Sequence, residues 1–224
     1  MVKILLFILL FLSQKYVYSQ DKYSINEFSS TMQEYFIQPS LEKLSKLLYT
    51  YYEENAINQK QSAQMSIMGF FCVAFSDIKS DTNLKNDIEK KYSNNEIIFQ
   101  SYELSKDIGS LLLTEDHSAG INDFFWGAFF ASGDKKYIKK IASELAYINE
   151  KDSLNFYLAA SSAKWSLCSN ARQYKLVREH LLELKDSEPL LISQQIENIL
   201  SSEPSEIKEE MILYLKENKN RFSK

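Results

Sequence analysis

Apolar side chains recur at intervals of three and four along almost the whole chain after residue 24, and no other feature constrains the fold as strongly. Leu41, Leu44, Leu48 and Tyr51 make one stripe, and Ile138, Ile141, Leu145 and Ile148 a second. Tyr174, Val177, Leu181 and Leu184 make a third, and Ile207, Met211 and Leu215 a fourth. At roughly 3.6 residues per turn each set falls along one side of a helix, and each needs a neighbouring helix to take it out of water. The two-residue alternation of a half-buried strand is missing. Five Gly and three Pro in 224 residues leave few places where a helix is forced to stop. The expected fold class is all-α.

Helix starts are marked by capping chemistry, in which a side-chain oxygen accepts from the free amides of a first turn and a Glu or Gln three residues on reaches back. Ser24 with Glu27, Ser93 with Glu96 and Asn170 with Gln173 have that spacing, and Pro39, Pro189 and Pro204 stand where a helix begins but cannot continue through. These signals predict helices over 24–37, 40–54, 59–76, 81–91, 94–112, 121–132, 134–149, 152–168, 171–185, 188–201 and 204–218. The short connections predict consecutive helices packed as antiparallel hairpins, an array of the tetratricopeptide or HEAT type of α-solenoid.

The first residues, MVKILLFILLFLSQKYVYSQ, set Lys3 before an unbroken apolar run from Ile4 to Leu12 and a more polar stretch ending Val17-Tyr18-Ser19. That is the layout of a secretory signal, with small residues at the −3 and −1 positions for a cut before Gln20. The run is too short to cross a hydrocarbon core about 30 Å thick, which needs about 20 apolar residues. The expected organisation is a signal peptide over 1–19 and one α-helical domain over 20–224, placed in a periplasm or outside the cell. No Cys stands near the cut for lipid attachment.

Processing removes Lys3 and Lys15 and no acid, so the formal charge of −4 becomes −6. Lysines interleaved with acids on a net acidic chain do not make the basic face that phosphate backbones require, so nucleic acid is excluded as a partner. Cys72 and Cys168 each sit in an apolar stretch, GFFCVAF and KWSLCSN, which favours two buried thiols over a disulfide. Their separation has no zinc-site spacing, and no metal or cofactor is expected.

Chemistry-bearing patterns are sparse. There is no G-x-S-x-G, no H-E-x-x-H and no Gly-rich phosphate loop. His117, beside Glu115 and Asp116 in LLLTEDHSAG, is the one imidazole among carboxylates near a helix break. It could ligate a metal ion with a neighbouring acid or serve as a base held by one, although neighbours on a loop seldom point at one centre. Lys135, Lys136, Lys139 and Lys140 fit the solvated side of the Ile138/Ile141 helix. The aromatics are the stronger candidates. Phe124, Phe125, Trp126, Phe129 and Phe130 form the densest cluster, and Tyr49, Tyr51 and Tyr52 crowd one helix end. Such residues are either packing or the wall of a groove. Tyr49, Tyr51, Tyr52, Phe125, Trp126 and Phe129 are the candidate binding residues, and no catalytic residue is assigned.

A faint internal repeat joins NDFFWGAFFASGDKKYIKKI (122–141) to SSAKWSLCSNARQYKLV (161–177), with a looser copy over 66–84; the two Trp stand 39 residues apart. The segments WGAFFASGDKKYI and AKWSLCSNARQY resemble uncharacterised bacterial exported proteins with tetratricopeptide-like helical arrays, over about residues 120–185. The resemblance implies a right-handed stack of helix pairs and a binding role, and it carries over no functional residue. The segments depart from the tetratricopeptide pattern in having no closing Pro and in Gly127 directly after Trp126.

The expected function is therefore that of an exported, non-catalytic interaction module for a protein or peptide. The alternative is an exported α-helical hydrolase whose site combines scattered acids with His117. Neutralising a competitor's toxin is a further role open to such a protein. The intact mass of the exported protein is expected to match a chain starting at Gln20; a mass retaining Met1 to Ser19 overturns the signal-peptide reading.

Overall fold

The computed structural model describes residues 22–54, 61–77, 82–150 and 153–218. The leader expected over 1–19 lies outside the described residues. Every regular element among them is helical. The chain runs through α1 (Ile25–Gln33), a 3-10 turn (Tyr35–Ile37), α2 (Leu41–Glu53), α3 (Gln61–Asp77), α4 (Thr82–Lys90), α5 (Glu96–Ser105) and α6 (Ile108–Leu112). There follow α7 (Ala119–Ser132), α8 (Lys135–Ser143), a second 3-10 turn (Glu144–Tyr147), α9 (Leu154–Gln173), α10 (Lys175–Ser187), α11 (Leu190–Ser201) and α12 (Pro204–Glu217). None of these helices is long and apolar enough to cross a membrane.

Several boundaries follow the expected chemistry. Ser24 and Glu27 form a reciprocal capping box, and Pro204 opens α12 with Glu206 reaching back 2.9 Å to the Glu203 amide. Others are corrected. Asn95, not Ser93, caps α5, its Oδ1 accepting from the Ile98 amide at 3.1 Å. The helix expected over 94–112 breaks at Lys106–Asp107, because the Asp107 carboxylate takes up the Ser110 amide and starts α6. Asn170 opens no helix. Its Nδ2 donates one turn back to the Ser166 carbonyl at 2.9 Å, the Gln173 amide donates to the Ser169 carbonyl, and α9 continues to extended Tyr174. The break thus falls at Gly133 after Trp126 and at Tyr174 after Trp165, so the two repeat-like segments differ in register.

The most extensive helix contact is between α3 and α7. Both are apolar nearly all round, with Phe70, Phe71 and Cys72 of α3 and Phe125, Ala128 and Phe129 of α7 buried. A helix without a polar face belongs in the middle of a layered structure. Two glycines allow the approach. A Cβ at Gly69 would run into the Phe124 backbone carbonyl, and one at Gly127 into the Ser66 carbonyl. The backbones touch at two points, each helix giving a glycine and a carbonyl-bearing turn.

Around this pair the remaining helices fill in. On one side α5 packs against α3, and Tyr51 of α2 places its ring 5.8 Å from Phe71. On the other, α1, the first 3-10 turn, α8 and α9 meet α7, with Phe36 5.2 Å from Phe129. Gly133, at φ 70°, ends α7 in the left-handed region that favours glycine and lets α8 turn back. Each apolar side chain fully withdrawn from water contributes about 1.5–3 kcal/mol, and one cluster of them runs from Phe28 to Ile207. Cys72 and Cys168 are free thiols buried in it, and burial pushes the Cys72 thiol up to about 12.

Gly127→Ala and Gly69→Ala are each expected to cost about 3 kcal/mol or more in urea unfolding, because a methyl group has no space between touching backbones. Gly120→Ala, whose new Cβ would make ordinary contact with Met65, is expected to be neutral or up to about 1 kcal/mol stabilising.

Candidate functional site

Two helices on the α9 side of the molecule leave a cleft between them. On α9, Tyr157, Ser161 and Lys164 are spaced by four and three, so they share a side. On α12, Ile207, Glu210 and Tyr214 do the same. The cleft encloses about 230 Å³, with Ile148 and Met211 also in its wall. That is smaller than the roughly 300–1,000 Å³ of a cofactor or drug-sized site and suits one side chain or one ring.

The loop before α12 is tied to α9, and this sets the cleft's width. The Arg172 guanidinium donates to the Ser202 carbonyl at 2.5 Å and pairs with Glu203 at 3.0 Å, while the Cys168 thiol donates to the same carbonyl at 3.3 Å. At the other end the rings of Tyr157 and Tyr214 stack with centroids 4.1 Å apart. Lys164 Nζ lies 3.4 Å from Glu210 Oε2; the lysine side chain is 12 % exposed and the glutamate 63 %. Ser161 is buried, and its hydroxyl faces the Tyr157 phenol as a hydrogen-bonding neighbour. It lies close enough to the Tyr157 phenol to be felt by it, partly offsetting the upward push that burial gives that group. The cleft therefore holds a sheltered cation, a buried hydroxyl and a phenol over an apolar floor.

Four of the six aromatic candidates are interior packing: Tyr51, Phe125, Trp126 and Phe129 are buried. Trp126 spends its indole N–H on Ser166 Oγ at 2.9 Å. Tyr51 also borders a shallow depression between α2, α3 and α5. Tyr49 and Tyr52 are half-buried, Tyr49 under the Lys91 ammonium at 4.9 Å and Tyr52 edge-on to Tyr92 at 5.0 Å. The six do not line one groove. Trp165, in contrast, is 40 % exposed and adjoins Lys164. The repeat-like alignment set the two tryptophans at matching positions, with Trp126 alone a binding candidate, and the register difference in the helix breaks separates them.

His117 meets a different acid from the one its neighbours offered. Glu115 and Asp116 are exposed, and His117 Nδ1 instead faces both carboxylate oxygens of Glu144 at 3.1 and 3.0 Å. Tyr147 and Phe156 box the imidazole, with centroids at 4.6 and 5.0 Å, and the Lys140 ammonium donates to the Thr114 carbonyl at 2.8 Å. The pair fastens the loop before α7 to the second 3-10 turn. A sequence signal for it existed: Glu144 falls three residues after Ile141 and one before Leu145, an acid on the edge of an apolar stripe. Burial raises the Glu144 pKa, and the hydrogen bond and charge of His117 pull against that rise. Among the described residues no three His, Cys, Asp or Glu side chains converge as a metal site.

A carboxyl whose folded pKa is raised contributes stability at low pH that is lost as pH rises through that pKa. Glu144→Gln is therefore expected to gain stability relative to the parent protein as pH climbs from below 4.5 to neutrality. Thermal melts across that range check it; a variant that loses ground with rising pH would show that the attraction to His117 outweighs burial.

No protein-family model, curated protein or solved structure matches this chain, so what the α9–α12 cleft can hold is argued from its own chemistry.

Proposed function

We propose that this protein is an exported, non-catalytic helical-repeat module that binds a protein or peptide, and that the α9–α12 cleft receives one side chain or chain end of that partner. The observation that carries the reading is the cleft, where a sheltered Lys164 meets an exposed, distant glutamate and the Ser161 and Tyr157 hydroxyls lie side by side over an apolar floor. Large apolar side chains stand exposed beside it in sequence, Trp165 on α9 and Leu213 on α12. Aromatic anchors next to a small recess are the usual composition of a binding hot spot. From α7 to α11 each helix packs on the next, in keeping with an array of helix pairs, which exposes an extended surface suited to recognition. The export signal accounts for where such a module would meet its partner.

A hydrolytic role for His117 is less favoured. Glu144 orients the ring as an acid orients a catalytic base, yet no hydroxyl or thiol is bonded to the imidazole among the described residues, and both thiols are in the core.

Photo-crosslinking from Trp165 and from Leu213 in the processed protein, in an envelope extract of its own cells, is expected to give the same discrete adduct. Crosslinking from Lys85 on α4, whose side chain is 53 % exposed, is expected to give none. Equal labelling from all three positions would remove the cleft from the interaction.

A further inference from the structure

We infer that the α9–α12 cleft recognises a carboxylate carried on an apolar body, with Glu210 standing in for that carboxylate in the free protein. This rests on the reading of the cleft as a binding site and adds the chemical class of what binds there.

The balance of donors and acceptors carries the inference. An ammonium has three N–H donors, and among the described residues Lys164 forms one ion pair, a long contact of 3.4 Å to Glu210. Ser161 adds a buried O–H, in a residue 3 % exposed, whose neighbour is the Tyr157 phenol. Tyr157 adds a phenol O–H, whose pKa burial pushes further up. Among the described residues Glu210 is the one anionic side chain in the wall, and it is largely in water; Asn149 adds a neutral amide. Among the described residues the wall thus sets a sheltered cation beside hydroxyl donors with no sheltered anion, the complement of an oxygen pair bearing one negative charge. A single lysine with a glutamate beside it suits one charge better than the two of a phosphate monoester.

Exchange of Glu210 for an incoming carboxylate is inexpensive. Glu210 stands largely in water, which solvates it almost as well once it is freed from Lys164. The incoming group gains where Glu210 does not: it reaches the buried Ser161 hydroxyl while its apolar body lies on Ile148, Ile207 and Met211. The stacked tyrosines at the end of the cleft favour a flat ring.

The test uses the processed protein, residues 20–224, and three probes sharing one frame: 3-phenylpropionate, 3-phenylpropionamide and 3-phenylpropylamine. Amide chemical shifts of Ser161, Lys164 and Tyr214 report occupancy. The acid is expected to bind about tenfold more tightly than the amide, a difference of about 1.4 kcal/mol, and the amine more weakly still. Lys164→Met, which keeps the length of the apolar stem, is expected to bring the acid down to the level of the amide with an unchanged melting temperature. Glu210→Gln is expected to strengthen acid binding a few-fold by removing the internal competitor, and this exposed substitution leaves the fold intact even if Lys164→Met does not. Equal binding of acid and amide, preference for the amine, or weakening by Glu210→Gln would each overturn the carboxylate assignment while leaving a ligand-binding cleft. If none of the probes shifts these amides the assignment falls, and loss of the Trp165 adduct in the crosslinking experiment would take the interaction reading with it. A dipeptide ending in phenylalanine, with a free or an amidated terminus, separates the two sources. If the free-terminus peptide matches the small acid, the ligand is a chain end; if it is tenfold weaker, the ligand is a small free acid. Both rankings require the carboxylate.

Discussion

Two glycines facing two carbonyls hold the centre of this molecule together. Where α3 crosses α7, Gly69 lies on the Phe124 carbonyl and Gly127 on that of Ser66, leaving no space for a side chain at either point. Close approach lets the flanking large residues, Phe70 and Phe71 on one helix and Phe124 and Phe125 on the other, close around the contact. Interiors packed to crystal-like density transmit any misfit to their neighbours. The positions of α1, α5, α8 and α9, which build on this pair, therefore depend on the absence of two methyl groups.

Much of the helical scaffold was legible from spacing and caps. The Ile138/Ile141/Leu145 stripe became a buried face, and Ser24 and Pro204 started helices where capping chemistry placed them. Such signals are local, each decided within one or two turns of chain. The misses had a different cause. Asn170 carries a cap-type side chain, but there it bonds back along an unbroken helix, a choice set by what α9 packs against. Phe125, Trp126 and Phe129 favoured a core but kept a groove open, because composition cannot say which faces of an all-apolar helix are covered. Which helix covers which was not legible at all: α3 and α7 are separated by three helices in sequence.

The candidate site was illegible for the same reason. Tyr157, Ser161 and Lys164 are ordinary residues on α9, and Glu210 and Tyr214 are ordinary residues on α12. They acquire meaning when Arg172 and Cys168 grip the Ser202 carbonyl and lay one helix beside the other. His117 is the converse case. Its loop was noticed, its acid was not, and Glu144 could have been found only by treating a carboxylate at the edge of an apolar stripe as an anomaly needing a partner.

The two tryptophans occupy opposite extremes of environment. One is sealed in the core with its indole N–H bonded to Ser166, and the other stands partly in water beside Lys164. Their fluorescence consequently divides into two optical channels. A blue-shifted component shielded from iodide reports on the integrity of the central helices. A red-shifted, quenchable one reports on the outer face of α9. The protein carries, without labelling, separate spectroscopic readouts of whether it is folded and of what lies against that surface.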